Sequence, residues 1–443
     1  MSASSRPGSR PRHQRAADEA RAPGLPAREG ALALLSAVLD RGRMLEESTL
    51  AASLSASERA EAHSLADLTL RRLGQIDALL AGLIERRPKP PILHALRLMA
   101  AELAFGARAP HAAVDCAVRI AKARAPRMAG LVNAVGRRLA QEQAPGDFAA
   151  DETNMPDWLT RPLRWDWGTE TATALTVAHL VPPPIDLTLR APADAEALAA
   201  ELGAEALPTG SLRLTRGGQI SALPGFTAGA WWVQDAAAAL PVRLLGPLEG
   251  KRVLDLCAAP GAKTLQLAAA GAQVTALDIS ERRLARLEEN LARTGLTVEI
   301  VAADAFEWQP EAPFEAIVVD APCSATGTLR HHPDLAWRKP PDLAVLTELQ
   351  SRLLARAWDW LAPEGRLLYC TCSLLRAEGE DRAAAFLAAR PEAALAPLPH
   401  DPALAPFLSP TGLRTRPDLW PAQWPGQGGL DGFFAAAFER TRP

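Results

Sequence analysis

From Arg252 onward, short apolar runs alternate with helical stretches: RVLDLCA, QVTALDI, VEIVAAD, FEAIVVDA and GRLLYCTCS, with LQLAAA, ERRLARLEENLART and LTELQSRLLARAWDWLA between them. A strand without a polar face is covered on both faces, and parallel strands need a crossover of a dozen or more residues, usually a helix. The pattern predicts a doubly wound, Rossmann-like α/β sheet over residues 231–443. Pro391–Pro425 is expected to be a long loop before a last strand, GFFAAAFER.

The front of the chain has a different period. LALLSAVL, a possible capping box at Ser55 and Glu58, and an amphipathic run to Ile84 are helical, and Pro91, Pro110 and Pro126 each stand where a helix opens. Residues 28–150 are therefore expected to form an all-α bundle, behind a basic disordered tail over 1–27. A Trp-rich bridge, PDWLTRPLRWDWG, leads into a small α+β linker subdomain over 151–230, where DLTLRA and SLRLTR alternate like strands around the helical DAEALAAELGA.

Charge is divided between the two ends. Residues 1–150 carry 22 Lys and Arg against 15 Asp and Glu, and the rest carry 26 against 36, so +7 at the front balances −10 behind. That asymmetry suggests an anionic partner held by one end while chemistry proceeds at the other. No segment approaches the ~20 unbroken apolar residues of a membrane span. The Ser-, Pro- and Arg-rich start lacks a signal-type apolar core, so a cytoplasmic location is expected. Five cysteines in 443 residues make no disulfide scaffold and show no zinc spacing. No metal is expected, and thiol chemistry is.

In a doubly wound sheet, ligands bind at the carboxyl ends of the strands. The first strand ends in LDLCAAPGAKT and the second at Asp278, and no G-x-G-x-x-G is present. A nucleoside with a charged amino-acid tail suits this turn better than a dinucleotide, which points to S-adenosylmethionine. Asp278 is placed for the ribose hydroxyls and Asp304 for the adenine amine. Asp320, Cys323 and Cys372 reach the same sheet edge. Two thiols beside a methyl donor make sense if the acceptor is carbon 5 of a pyrimidine. That carbon becomes nucleophilic when a thiolate adds to carbon 6, and an acid near ring N3, with Asp320 the candidate, stabilises the charge.

DAPCSATG, YCTCS, LDLCAAPGAKT and LDGFFAAAFER together resemble the RNA C5-cytosine methyltransferases, and DLTLRRLGQIDALL with AGLVNAVGRRL resembles the NusB-like RNA-binding domain fused to their bacterial RsmB (Sun/Fmu) branch. The resemblance implies an S-adenosylmethionine-dependent methyltransferase domain behind a NusB-like bundle. Its substrate would be 16S rRNA, at cytosine 967 in the usual rRNA numbering; the alternatives are a tRNA enzyme or an inactive NusB-type assembly factor. Analogy with DNA C5-methyltransferases would choose Cys323 as the nucleophile. The nearer RNA family makes it Cys372, with Cys323 assisting product release and Asp320 contacting donor and base. Cys257, Ala258, Ala259, Pro260, Gly261, Ala262 and Lys263 would line the methionine end of the cofactor. Arg119, Lys122, Arg124, Arg127, Arg137 and Arg138 could meet RNA phosphates, and Arg330, His331 and His332 could hold the backbone near the target. The chain departs from the family pattern at Ala262 and Ala325, where Gly is common, at Cys370, and at RAEGED in place of Pro-x-Glu-Asn-Glu.

Overall fold

The computed structural model describes residues 23–106, 110–141, 154–191, 194–215, 217–421, 424 and 428–441. It divides into two compact units, one running to Thr160 and including His332–Lys339, the other comprising Arg161–His331 and the chain from Pro340. Among the described residues, no helix is long and apolar enough to cross a membrane.

The first unit is helical, with α1 (Leu25–Leu39), α2 (Ala56–Arg71), α3 (Leu73–Ala81), α4 (Ile92–Phe105), α5 (Pro110–Arg124) and α6 (Ala129–Gln141). The expected tail lies outside the described residues up to residue 22. Its end is corrected, because α1 begins at Leu25 and already buries Leu25, Ala27 and Arg28. Arg28 is drawn inward by Glu102, whose Oε1 accepts from Arg28 Nε at 2.8 Å. The capping box is present: Glu58 N–H donates to Ser55 Oγ at 3.2 Å, and Ser55 N–H donates to Glu58 Oε2 at 2.8 Å. The run expected to reach Ile84 is broken at Arg72, whose φ of −108° and ψ of 14° leave the helical region. Residues 332–339 join this unit through Trp337 Nε1, which donates to Leu70 O at 2.8 Å, and Asp334 Oδ2, which accepts from Leu45 N–H at 3.0 Å.

The Trp-rich bridge is helical. It opens α7 (Asp157–His179), which accommodates Pro162 and is interrupted only at Gly168, at φ 80°. There follow β1 (Asp186–Leu189), α8 (Ala195–Leu202), β2 (Ala204–Ala206), β3 (Leu212–Leu214) and β4 (Trp231–Val233), forming an antiparallel sheet in the order β2-β3-β1-β4. The buried Asp186 carboxylate accepts twice from Arg213, at 2.7 and 2.8 Å.

The large sheet is built from β5 (Arg252–Leu256), β6 (Gln273–Asp278), β7 (Glu299–Ala302), β8 (Phe314–Asp320) and β9 (Leu361–Thr371), all parallel. Following the short α9 (Ala236–Ala239), the helices are α10 (Ala262–Ala269), α11 (Glu281–Thr294), α12 (Leu343–Asp359) and α13 (Glu380–Ala389). The Pro-rich stretch is not one loop: β10 (Ala393–Leu395), β11 (Leu408–Ser409) and β12 (Gly412–Thr415) pair into the sheet around β13 (Phe433–Arg440), which is antiparallel to β9. The order is β11-β12-β13-β9-β8-β5-β6-β7, so β5 has β6 on one side and β8 on the other. At that reversal, the carboxyl ends of β5 and β8 open a ligand crevice.

Candidate active site

Past β5 the chain turns sharply, with Cys257 at φ 65° and Gly261 at φ 107°. A Cβ on Gly261 would come within 2.4 Å of Leu287 Cδ1, so both conformation and space demand glycine. The neighbouring Ala262 is the first residue of α10 and loses nothing by carrying a methyl group, whereas Ala325, in the Cys323 loop, holds φ 55°, which glycine adopts more easily.

Asp278 accepts from Ala259 N–H at 3.0 Å and Ser280 N–H at 2.9 Å. A carboxylate has about four acceptor sites, so two remain for ribose hydroxyls. Asp304 accepts from Phe306 N–H at 2.8 Å, which fixes it just past β7. Asp255, at the end of β5, is fully buried; Thr264 Oγ1 donates to its Oδ2 at 2.6 Å, and its Oδ1 has no hydrogen-bond partner among the described residues. Burial, reinforced by Asp320 and Asp278, pushes its carboxyl up to about 7. Burial and the same acids hold the Cys257 thiol above its ordinary range. Carboxylates gathered around a turn with an unsatisfied oxygen suit a cationic ligand, and the sulfonium and ammonium of S-adenosylmethionine fit that donor set.

Across the crevice, Lys263 Nζ donates to Asp320 Oδ2 at 2.8 Å and lies 4.8 Å from the centre of the Phe433 ring. Burial by itself would lower the lysine, but Asp320, with Cys370 and Cys372 nearby, holds its ammonium above the usual range. The Cys323 and Cys372 sulfur atoms are 3.5 Å apart. Cys323 is held well above the ordinary thiol value, first by its S–H contact to Cys372, then by burial, and then by the charges of Cys372 and Glu378. Cys370 is buried two residues before Cys372, with its sulfur 3.5 Å from Asp320 Oδ1. Gly327 N–H donates to Cys372 O at 2.9 Å and Gly432 N–H to Gly327 O at 2.9 Å, stitching the Cys323 loop between the end of β9 and the approach to β13.

The basic residues divide. Lys122, Arg124, Arg127, Arg137 and Arg138 are exposed on α5, α6 and the turn between them, while Arg119 is paired with Asp115 at 2.7 Å. Arg330 is not the surface contact expected: it is 1% exposed and its charge acts on Asp235 and Asp431. His331 Nε2 lies 3.4 Å from Asp235 and 3.5 Å from Asp431, and these two carboxylates raise the imidazole against the effect of its burial. His332 lies 3.5 Å from Glu46 in the first unit. Sequence reasoning did not single out Glu378, which has 0% exposure and joins the two thiol segments, and it placed Lys263 at the methionine end of the cofactor without its pairing to Asp320.

The family model described as 16S rRNA methyltransferase RsmB/F matches residues 242–439, and that of the NusB family matches residues 25–141. The ribosomal RNA small subunit methyltransferase B of Xanthomonas campestris pv. campestris is 37% identical, over 95% of this chain and 98% of that protein. Its counterpart in Xylella fastidiosa is also 37% identical, over 91% and 97%. The crystal structure of a methyltransferase homologue from Pyrococcus horikoshii superposes with a TM-score of 0.53 at 26% identity, over 64% of this chain and 94% of that one. With likeness of this extent at both ends, the chain belongs to the RsmB/F family of 16S rRNA methyltransferases, in the form that carries a NusB family domain at its front.

Proposed function

We propose that the protein methylates carbon 5 of a cytosine in 16S rRNA through a transient bond between Cys372 and ring carbon 6. The observation that carries this reading is the 3.5 Å separation of two thiols beside the Lys263–Asp320 pair, at the carboxyl edge where ligands bind. Methylation of an exocyclic amine needs no thiol at all.

Cys257–Lys263, Asp278 and Asp304 would hold S-adenosylmethionine, which supplies an electrophilic methyl group. The Cys372 thiolate forms its bond to carbon 6, and the Lys263–Asp320 pair lends a proton to ring N3, so electron density collects on carbon 5. When Cys372 has become a thioether, the first cause of the raised Cys323 thiol is gone, and Cys323 can release its proton to water. Its sulfur then takes the proton from the methylated carbon 5, the bond from Cys372 to carbon 6 breaks, and N3 returns its proton to the pair. The thiols end as they began, with one proton released for each methyl gained. Reaching the recessed sulfur requires a base splayed from its stack, which fits an unpaired cytosine. The exposed Lys122, Arg124, Arg137 and Arg138 support phosphate binding by the helical unit.

Bisulfite sequencing of rRNA and tRNA from a deletion strain tests the substrate. One protected cytosine in 16S rRNA should become convertible on deletion and protected again on complementation. An unchanged 16S profile with a site lost from tRNA would contradict the assignment.

A further inference from the structure

Glu378 is buried, no cation among the described residues pairs with it, and four donors converge on its carboxylate. Oε1 accepts from Ser324 N–H at 2.9 Å and Gln350 Nε2 at 3.1 Å; Oε2 accepts from Ser373 Oγ at 2.6 Å and from Ser324 Oγ. Ser324 and Ser373 directly follow Cys323 and Cys372 in the chain. One carboxylate thus grips both thiol-bearing segments a single residue beyond each sulfur. Gln350, from α12, also donates to Pro322 O at 2.9 Å, bracing the residue before Cys323. The Glu378 carbonyl in turn accepts from Tyr369 Oη at 2.6 Å and Thr371 Oγ1 at 3.3 Å, which anchors the group to β9. Enclosing a carboxylate is a costly way merely to fill space.

We propose that Glu378 is a positioning residue for methyl transfer, holding the two sulfur-bearing segments in register. The carboxylate also acts on the nearer thiol: contact with Cys372, burial, the charge of Cys372 and then that of Glu378 all raise Cys323. A shift of about 1 Å in either sulfur is enough to cost about 100-fold in rate.

The proposal rests on Cys372 as the nucleophile, so its test uses the full-length protein with two RNAs, one containing cytidine and one 5-fluorocytidine at the target. The second lacks the proton whose removal releases the enzyme, and traps the adduct. Glu378→Gln is nearly isosteric and keeps an acceptor for Ser324 N–H. It should melt as the parent does and still form the 5-fluorocytidine adduct, while kcat on cytidine RNA falls about 30-fold and the KM for RNA changes less than about twofold. The rising limb of kcat against pH should move down by about one unit, because loss of the carboxylate charge eases ionisation of Cys323. The double variant Ser324→Ala with Ser373→Ala keeps the charge and removes the hydroxyl arms; its kcat should fall about tenfold with the limb in place. Parent-like kcat and an unmoved limb in Glu378→Gln would overturn the proposal, as would parent-like kcat in the double variant should Glu378→Gln fail to fold. No adduct from the parent enzyme would instead overturn the nucleophile assignment beneath it.

Discussion

Lys263 and Asp320 meet at 2.8 Å across the crevice, the lysine side chain 6% exposed and the aspartate 35%. The two ends of this ion pair therefore differ in what their loss costs. Asp320→Ala strands an enclosed ammonium and should cost about 2 kcal/mol, below the usual figure for a fully buried pair because water reaches the site. Lys263→Met leaves a carboxylate with access to solvent and should cost less than about 1 kcal/mol. Both should lose methyl transfer by about 100-fold or more, as expected for removal of a proton-transfer partner. Urea unfolding alongside a methyl-incorporation assay checks the asymmetry.

Asp255 makes stability depend on pH in a stated direction. Its carboxyl stands at about 7 in the folded chain against an ordinary 3.8, so between those values the folded state holds more proton than the unfolded one. Stability should then fall as pH rises from about 4 to about 7. At ~1.4 kcal/mol per unit, the upper bound is about 4 kcal/mol. Asp255→Asn keeps an acceptor for Thr264 and cannot ionise, so unfolding curves at pH 5 and pH 8 should show it gaining on the parent at the higher pH.

The cofactor turn depends on Gly261. Its φ of 107° and the 2.4 Å approach of an added Cβ to Leu287 make Gly261→Ala strained in two ways. A loss of about 2–3 kcal/mol is expected from backbone strain and overpacking together. Calorimetric titration with S-adenosylmethionine should show affinity about tenfold weaker.

Lys122, Arg124, Arg137 and Arg138 are exposed, and if they meet phosphate their effect is electrostatic and independent of sequence. Replacing all four with Ala should weaken RNA binding at low salt and reduce the slope of log K against log salt by about 0.7 for each phosphate charge that is no longer neutralised. Turnover at saturating RNA should be unchanged. A filter-binding series between about 50 and 200 mM salt reads this slope.

The parts legible in the sequence were those governed by local period and by strand ends. Five apolar runs gave the five parallel strands, and the residues closing them put Asp278, Asp320, Cys323 and Cys372 at one edge, because a strand fixes where its last side chain emerges. α7 was missed because Pro162 and Gly168 interrupt its pattern, yet its Trp167 Nε1 donates to Leu374 O at 2.8 Å, next to the thiol segment. The strands within the Pro-rich stretch span only two to four residues, too short to show alternation. Arg330 looked like a surface cation because the acids that bury it, Asp235 and Asp431, are about a hundred residues away in the chain. Glu378 drew notice only as part of RAEGED, because two of its donors, Ser324 and Gln350, come from segments 54 and 28 residues away.

The most direct measurement is gel analysis of protein bound to cytidine RNA under denaturing conditions, for Cys323→Ala and Cys372→Ala side by side with S-adenosylmethionine present. Cys323→Ala should accumulate a covalent protein–RNA band, because the bond forms and is not released, and Cys372→Ala should give neither band nor methylated product. Methylated product from Cys372→Ala would show that the sulfur at the end of β9 is not the one that bonds the ring.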